Sequence, residues 1–176
     1  MPGRTAAEAR EAFLAPLRRS LSCLTDAQLF VSHPTVGGVE ALLLSEDPLR
    51  LRSASISDGL QIRLRQQYGL VEDRAAPTDS RWHVSTVAYD YRLNRGDGAE
   101  LLSWHWHPQT GLRSPHLHVT IGPVPRRAHL PTGRVSVESV LELLLGDLGV
   151  PARRPDWADV LGAAEAPFLE HRRWSG

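Results

Sequence analysis

Between residues 81 and 121 the chain alternates with a period of two. Tyr89, Tyr91, Trp104, Trp106, Leu117 and Val119 take one parity, and Asp90, Arg92, His105, His107, His116 and His118 take the other. Successive side chains of a β-strand point to opposite faces, so this parity makes one apolar face and one histidine face. The pattern predicts three strands, over 81–93, 100–107 and 116–121. Asp97-Gly98 is a turn signal between the first two, and a two-residue turn there puts Asp90 opposite His105 and Arg92 opposite Ser103. Symmetric closure of the loop 108–115 puts His105 opposite His118 and His107 opposite His116. Slipping a strand by one residue would send the tryptophans to solvent, which is why the parity constrains the register.

The flanking segments read as sheet and helix. Leu60, Ile62 and Leu64 alternate with Gln61, Arg63 and Arg65 after the hairpin signal Asp58-Gly59, and strands are expected within 28–71. Thr5 and Glu8 form a capping box for a helix over 5–24, whose core stripe is Phe13, Leu14, Leu17, Leu21 and Leu24. After a loop over 122–134, Val137, Val140, Leu141, Leu144 and Leu148 define a helix over 136–148, closed by Gly149 and Pro151. Asp156 caps a last helix over 156–173, carrying Trp157, Val160, Leu161 and Ala164, which Pro167 is expected to break or restart. The expectation is a single α+β domain over 1–176. It is a mostly antiparallel β-sheet of five to seven strands, with the N-terminal helix and the C-terminal helices packed on one face.

Charge and cysteine content narrow the setting. Twenty arginines balance twenty acidic residues with no lysine at all, so no global positive field exists. Nucleic-acid binding would need a local patch, for which Arg126, Arg127 and Arg134 are the candidates. Cys23 is the only cysteine, which excludes an intrachain disulfide and fits the cytoplasm. No run approaches the roughly 20 apolar residues of a membrane span, so no membrane partner is expected.

Four imidazoles on one face cannot all be protonated at neutral pH, because like charges depress one another's pKa. They must be neutral, share protons, or bind metal. In the metal reading His105, His107, His116 and His118 coordinate a divalent transition metal such as zinc, with Asp90 behind one ring. In the acid–base reading His118 and His105 act on the 2′-OH of a phosphodiester, Asp90 orients His105, and Arg92 or Arg134 binds the phosphate charge. A third reading is non-enzymatic: the histidines form a plain polar face, and helices 136–148 and 156–166 dock a partner. His129 is either a further group of the cluster or a loop histidine. Tyr89 and Tyr91 read as packing aromatics, and His33, His83 and His171 as incidental.

Three short motifs are incomplete. His118-Val-Thr120-Ile121 fits the His-x-Thr-x of two-histidine phosphoesterases, but His83-Val-Ser85-Thr86 lies too near to be its second copy. His116-Leu-His118-Val-Thr120 has Thr where a histidine triad has its third His, and the cupin metal motif lacks its Glu after His107. A longer stretch, roughly 80–148, resembles the TumE-type toxins of bacterial toxin–antitoxin modules. The matching residues are Tyr89, Tyr91, His105, His107, Pro108, Pro115, His116, His118 and the helix over 135–145; the family's His-His-Pro is His-Trp-His-Pro here. The resemblance implies a cytoplasmic toxin with an antitoxin protein as partner, acting on RNA.

Overall fold

The computed structural model describes residues 2–32, 38–110, 112–120 and 128–171, the last without its side chain. His33, Ile121, Arg126 and Arg127 lie outside these residues. In chain order the elements are β1 (Pro2–Gly3), α1 (Ala6–Leu21), β2 (Leu29–Val31), β3 (Val39–Leu44), β4 (Leu49–Leu51), β5 (Leu60–Glu72), β6 (Trp82–Arg95), β7 (Glu100–Trp106), β8 (His116–Val119), β9 (Leu130–Pro131), α2 (Val137–Glu142) and α3 (Trp157–His171). The fold is α+β. One sheet of nine strands runs β2-β3-β5-β6-β7-β8-β9, with β1 added to β6 and β4 added to β5. All described pairings are antiparallel. The two strands above the expected five to seven are β1 and β9, each two residues long and too short to show a period. No helix among the described residues is long and apolar enough to cross a membrane.

The helices cover one face. Leu14, Leu17 and Leu21 of α1 join Leu42, Leu64, Tyr68, Tyr91 and Trp104 of the sheet in one core, together with Val140 and Leu141 of α2 and Leu161 of α3. Tyr91, Leu93, Trp104 and Trp106 are each at most 9% exposed, so the apolar parity is the core parity. Fully burying each such side chain contributes roughly 1.5–3 kcal/mol, which fixes the orientation of β6 and β7. Inside this core Glu40 is 1% exposed, and both Tyr68 Oη and Arg10 Nε donate to its Oε2, the latter at 2.8 Å. Burial, then the Glu40 carboxylate, push the Tyr68 phenol up to about 12.

Several local expectations are refined. Thr5 caps α1 by accepting from the Glu8 N–H at 3.1 Å, but the Glu8 carboxylate reaches the N–H of Arg4 at 2.9 Å, one residue before the cap. The regular helix ends at Leu21, and residues 22–24 close with tighter turns: Cys23 N donates to Ser20 O and Leu24 N to Leu21 O. Asp58-Gly59 does not form a two-residue hairpin. Leu51 pairs with Leu60 across a loop over 52–59. After α2 the backbone widens into a π-helical turn, Leu143–Asp147, where Leu148 N donates five residues back to Leu143 O. The extra residue lets Leu144 and Leu145 both stay buried before Gly149, at φ +62, ends the run. Pro167 does not break α3, which continues to His171. The missing hydrogen bond costs about 3 kcal/mol in a helix interior, and packing of α3 on α1 and α2 outweighs it.

Glu138, 5% exposed at the start of α2, accepts from Ser20 Oγ at 2.9 Å. Burial raises its pKa, against the hydrogen bonds that lower it. An acid whose folded pKa is raised loses stability as pH climbs from its unfolded value through its folded one. Glu138→Gln is therefore expected to raise the unfolding free energy at pH 8 by on the order of 1 kcal/mol. The difference should vanish below about pH 4.3, where the wild-type group is neutral in both states. Denaturant melts at the two pH values check this.

Candidate metal centre

The face opposite the helices lays its side chains in cross-strand rows. One row runs Arg65, Asp90, His105, His116 and Pro131; the next runs Arg63, Arg92, Ser103 and His118. Asp90 opposite His105 and Arg92 opposite Ser103 are the expected pairs. The turn that delivers them is not the expected one, because Arg95 N donates to Ala99 O across a three-residue turn, with Gly98 at φ +90. A bulge at Leu93/Asn94 then restores the register.

The next pairing differs from expectation. His105 lies opposite His116, not His118, and His118 lies opposite Ser103. The connection is longer than symmetric closure assumes. The His107 carbonyl accepts from both the N–H and the hydroxyl of Thr110, at 3.0 and 2.8 Å. Trp106 Nε1 donates to the Arg113 carbonyl at 3.1 Å, which anchors the loop on the ring. The shift is two residues, so no side chain changes face. His107 is left beyond the paired part of β7, beside His105 with ring centroids 5.8 Å apart.

β9 brings a fifth imidazole. His129 precedes Leu130, which pairs with Leu117, and its ring lies 4.6 Å from His118 and 4.8 Å from His116. His105 stacks on His116 at 5.7 Å and meets His118 edge-on at 5.1 Å. Among the described residues the potential ligand atoms fall into two triads, each within 4.8 Å: His116, His118 and His129, and Asp90, His105 and His107. The four expected ligands thus share one patch but divide between two groups. His129 was legible only as an undecided candidate, because two strand residues ending in Pro131 carry no period.

Hydrogen bonds set the chemistry of these groups. His116, 8% exposed, has Nδ1 3.1 Å from the Ser114 carbonyl. A carbonyl only accepts, so Nδ1 carries the proton and the lone pair sits on Nε2. That is the outer support a metal-ligating histidine ordinarily has. Burial pushes His105 down to about 4; Asp90 opposes this, and His118, Arg92 and His116 add to it. Partial desolvation and then His118 and His116 lower His129 as well. Both are neutral, ligand-competent imidazoles at pH 7.

The carboxylate and the arginines take other places than expected. Asp90 Oδ2 is 3.9 Å from His105 Nδ1, beyond hydrogen-bond range, so Asp90 does not orient that ring directly. Its oxygens instead accept from Arg92 Nε and Nη2 at 2.8 and 2.7 Å. Burial works to raise the Asp90 carboxyl, and the Arg92 fork with the nearby histidines outweighs it, leaving the pKa below the ordinary value. Arg92 is on the histidine face but committed to Asp90. Arg134 is not on that face. Its guanidinium lies 3.9 Å from the centroid of Trp106, whose side chain has the core parity. Desolvation lowers the Arg134 pKa, and its buried Nε has no hydrogen-bond partner. A cavity of about 510 Å³ near Arg50, Ser57, Asp58 and Gly96 shares no residue with the histidines.

No family model, curated protein or solved structure matches this chain. The reading of the site therefore rests on its own chemistry.

A His whose folded pKa is lowered makes the unfolded chain bind more protons, so its contribution to stability is lost as pH falls from about 6.5 to about 4. In metal-free protein the His105 ring is expected to titrate near pH 4. Long-range ¹H–¹⁵N spectra across pH 3–8 check this, and a midpoint near 6.5 would contradict the burial argument.

Proposed function

We propose that this chain is a metal-binding protein whose centre is His116, His118 and His129, working as a hydrolytic metalloenzyme on a phosphodiester-type substrate. The observation that carries the reading is the convergence of three imidazoles within 4.8 Å, one with its tautomer fixed by the Ser114 carbonyl. Two nitrogens bound at about 2.0–2.1 Å to a tetrahedral ion lie about 3.3–3.4 Å apart, so small side-chain rotations close the set. Three imidazole nitrogen ligands suit zinc. They leave a fourth position for water, whose pKa a zinc ion lowers to about 7. Such a water is a nucleophile at neutral pH.

The acid–base reading uses His105 and His118 without metal, in the manner the toxin resemblance implies. Their rings are close enough at 5.1 Å. That reading loses Arg134, which is held over Trp106, and gives no part to His129. His118 cannot serve both as metal ligand and as proton donor, and the His129 approach favours the ligand role. A partner protein and RNA remain proposals of that second reading.

Tag-free protein equilibrated with Zn²⁺ and analysed by elemental mass spectrometry tests the proposal. The wild type should retain zinc after gel filtration, and His116→Ala/His129→Ala should lose the ion held there, with affinity down at least about 100-fold. Cleavage of bis-p-nitrophenyl phosphate should disappear on chelation and return with Zn²⁺. Activity that survives chelation and the His129→Ala change, but not His105→Ala, would support the acid–base reading instead.

A further inference from the structure

We propose that Asp90, His105 and His107 hold a second divalent transition-metal cation beside the first, making a two-cation centre. This rests on the reading of His116, His118 and His129 as a metal site. Three observations carry it. The first is proximity: the potential ligand atoms of this triad also lie within 4.8 Å of one another. Its middle member, His105, contacts both neighbours of the first triad, stacked on His116 at 5.7 Å and edge-on to His118 at 5.1 Å. The two positions therefore adjoin across β7 and β8.

The second is the gap between Asp90 Oδ2 and His105 Nδ1. At 3.9 Å it is too long for a hydrogen bond. Two ligands of one ion, at about 2.0–2.2 Å and angles near 109–120°, stand about 3.3–3.8 Å apart. The pair sits close to the separation an ion between them requires, and His107 supplies a third donor beside His105.

The third is the Arg92 fork. It takes one hydrogen bond on each Asp90 oxygen, at 2.8 and 2.7 Å. A carboxylate oxygen has a second lone pair. Oδ2 can hold a cation while Arg92 stays in place, and the arginine then fixes the ligating carboxylate from outside. Two imidazoles and one carboxylate make an N₂O set that accepts Zn²⁺, Co²⁺, Mn²⁺ or Fe²⁺ and leaves open positions. Adjacent cations with open positions clamp the attacking and departing oxygens of a phosphoester.

Titration of the chelator-stripped full chain with Co²⁺, followed by visible absorption and equilibrium dialysis, tests the second site. The wild type should bind two equivalents. His107→Ala and Asp90→Asn should each bind one, and His129→Ala should retain the other. Asp90→Asn keeps the side-chain shape, and circular dichroism of each metal-free variant reports its fold. One equivalent in the wild type, unchanged in His107→Ala, would overturn the second cation and leave the first site standing. Two equivalents in both the His107→Ala and Asp90→Asn variants would overturn its location. No bound cobalt in the wild type would overturn both sites.

Discussion

The strict alternation of β6 and β7 ties the core of this protein to its histidine face. Tyr89, Tyr91, Trp104 and Trp106 are buried against the helices, and Asp90, Arg92 and His105, of the other parity, are forced to the opposite face. A slip of one residue would expose two tyrosines and two tryptophans, each with roughly 1.5–3 kcal/mol of burial to lose. The total is comparable with the whole stability of an ordinary domain. The placement of Asp90, Arg92 and His105 is therefore enforced by side chains on the other side of the sheet. The chemistry needs no stabilising contribution of its own to stay in place, which is how a face can collect imidazoles that repel one another when charged.

His105 and His129 escape that repulsion by neutrality, since their pKa values are lowered. His105 is half-buried with its ring against His116 and His118, and burial outweighs the pull of Asp90 toward the charged form. Asp90 would be the natural counter-charge for a protonated cluster, but Arg92 has taken it with two short hydrogen bonds. The carboxylate 3.9 Å from His105 Nδ1 is thus already balanced. A neutral imidazole offers a lone pair, and a cation is a partner that several such rings can share at once.

Much of this face was legible in the sequence, and the reasons it was legible explain where reading stopped. Parity assigned Asp90, Arg92, His105, His107, His116 and His118 to one side, because parity survives any even shift. The pairing of β6 with β7 came out as expected even though the turn has three residues, since the bulge at Leu93/Asn94 absorbs the odd one. The pairing of β7 with β8 did not, because the bonds that hold the loop join Trp106 and His107 to Arg113 and Thr110, loop residues with no periodic signal. Arg134 was placed with the histidines on charge alone. The structure puts it over Trp106, where the ring face offsets part of what the guanidinium loses in hydration. His129 depends on a two-residue strand ending in a proline, and only the folded chain shows what that strand lies against.

The edge of the sheet gives the histidines a second physical meaning. Among the described residues β9 pairs with β8 at His116/Pro131 and Leu117/Leu130, with Thr132 N donating to the Pro115 carbonyl just beyond, and a proline has no N–H to donate to the ladder. Leu130 is 43% exposed, so little burial holds the strand down. A pairing this short is marginal by backbone bonds alone. His116 and His118 come from β8 and His129 from the residue before β9, so an ion shared by the three would cross-link the two strands at their weakest join. Part of the free energy of binding that ion would then appear as order in the sheet edge, since a ligand that binds the ordered form stabilises it by mass action. The proposed metal site and the β8–β9 pairing would in that sense be one structure: the core sets the parity that aims His116 and His118, and an ion bound there would complete an edge that the core does not reach.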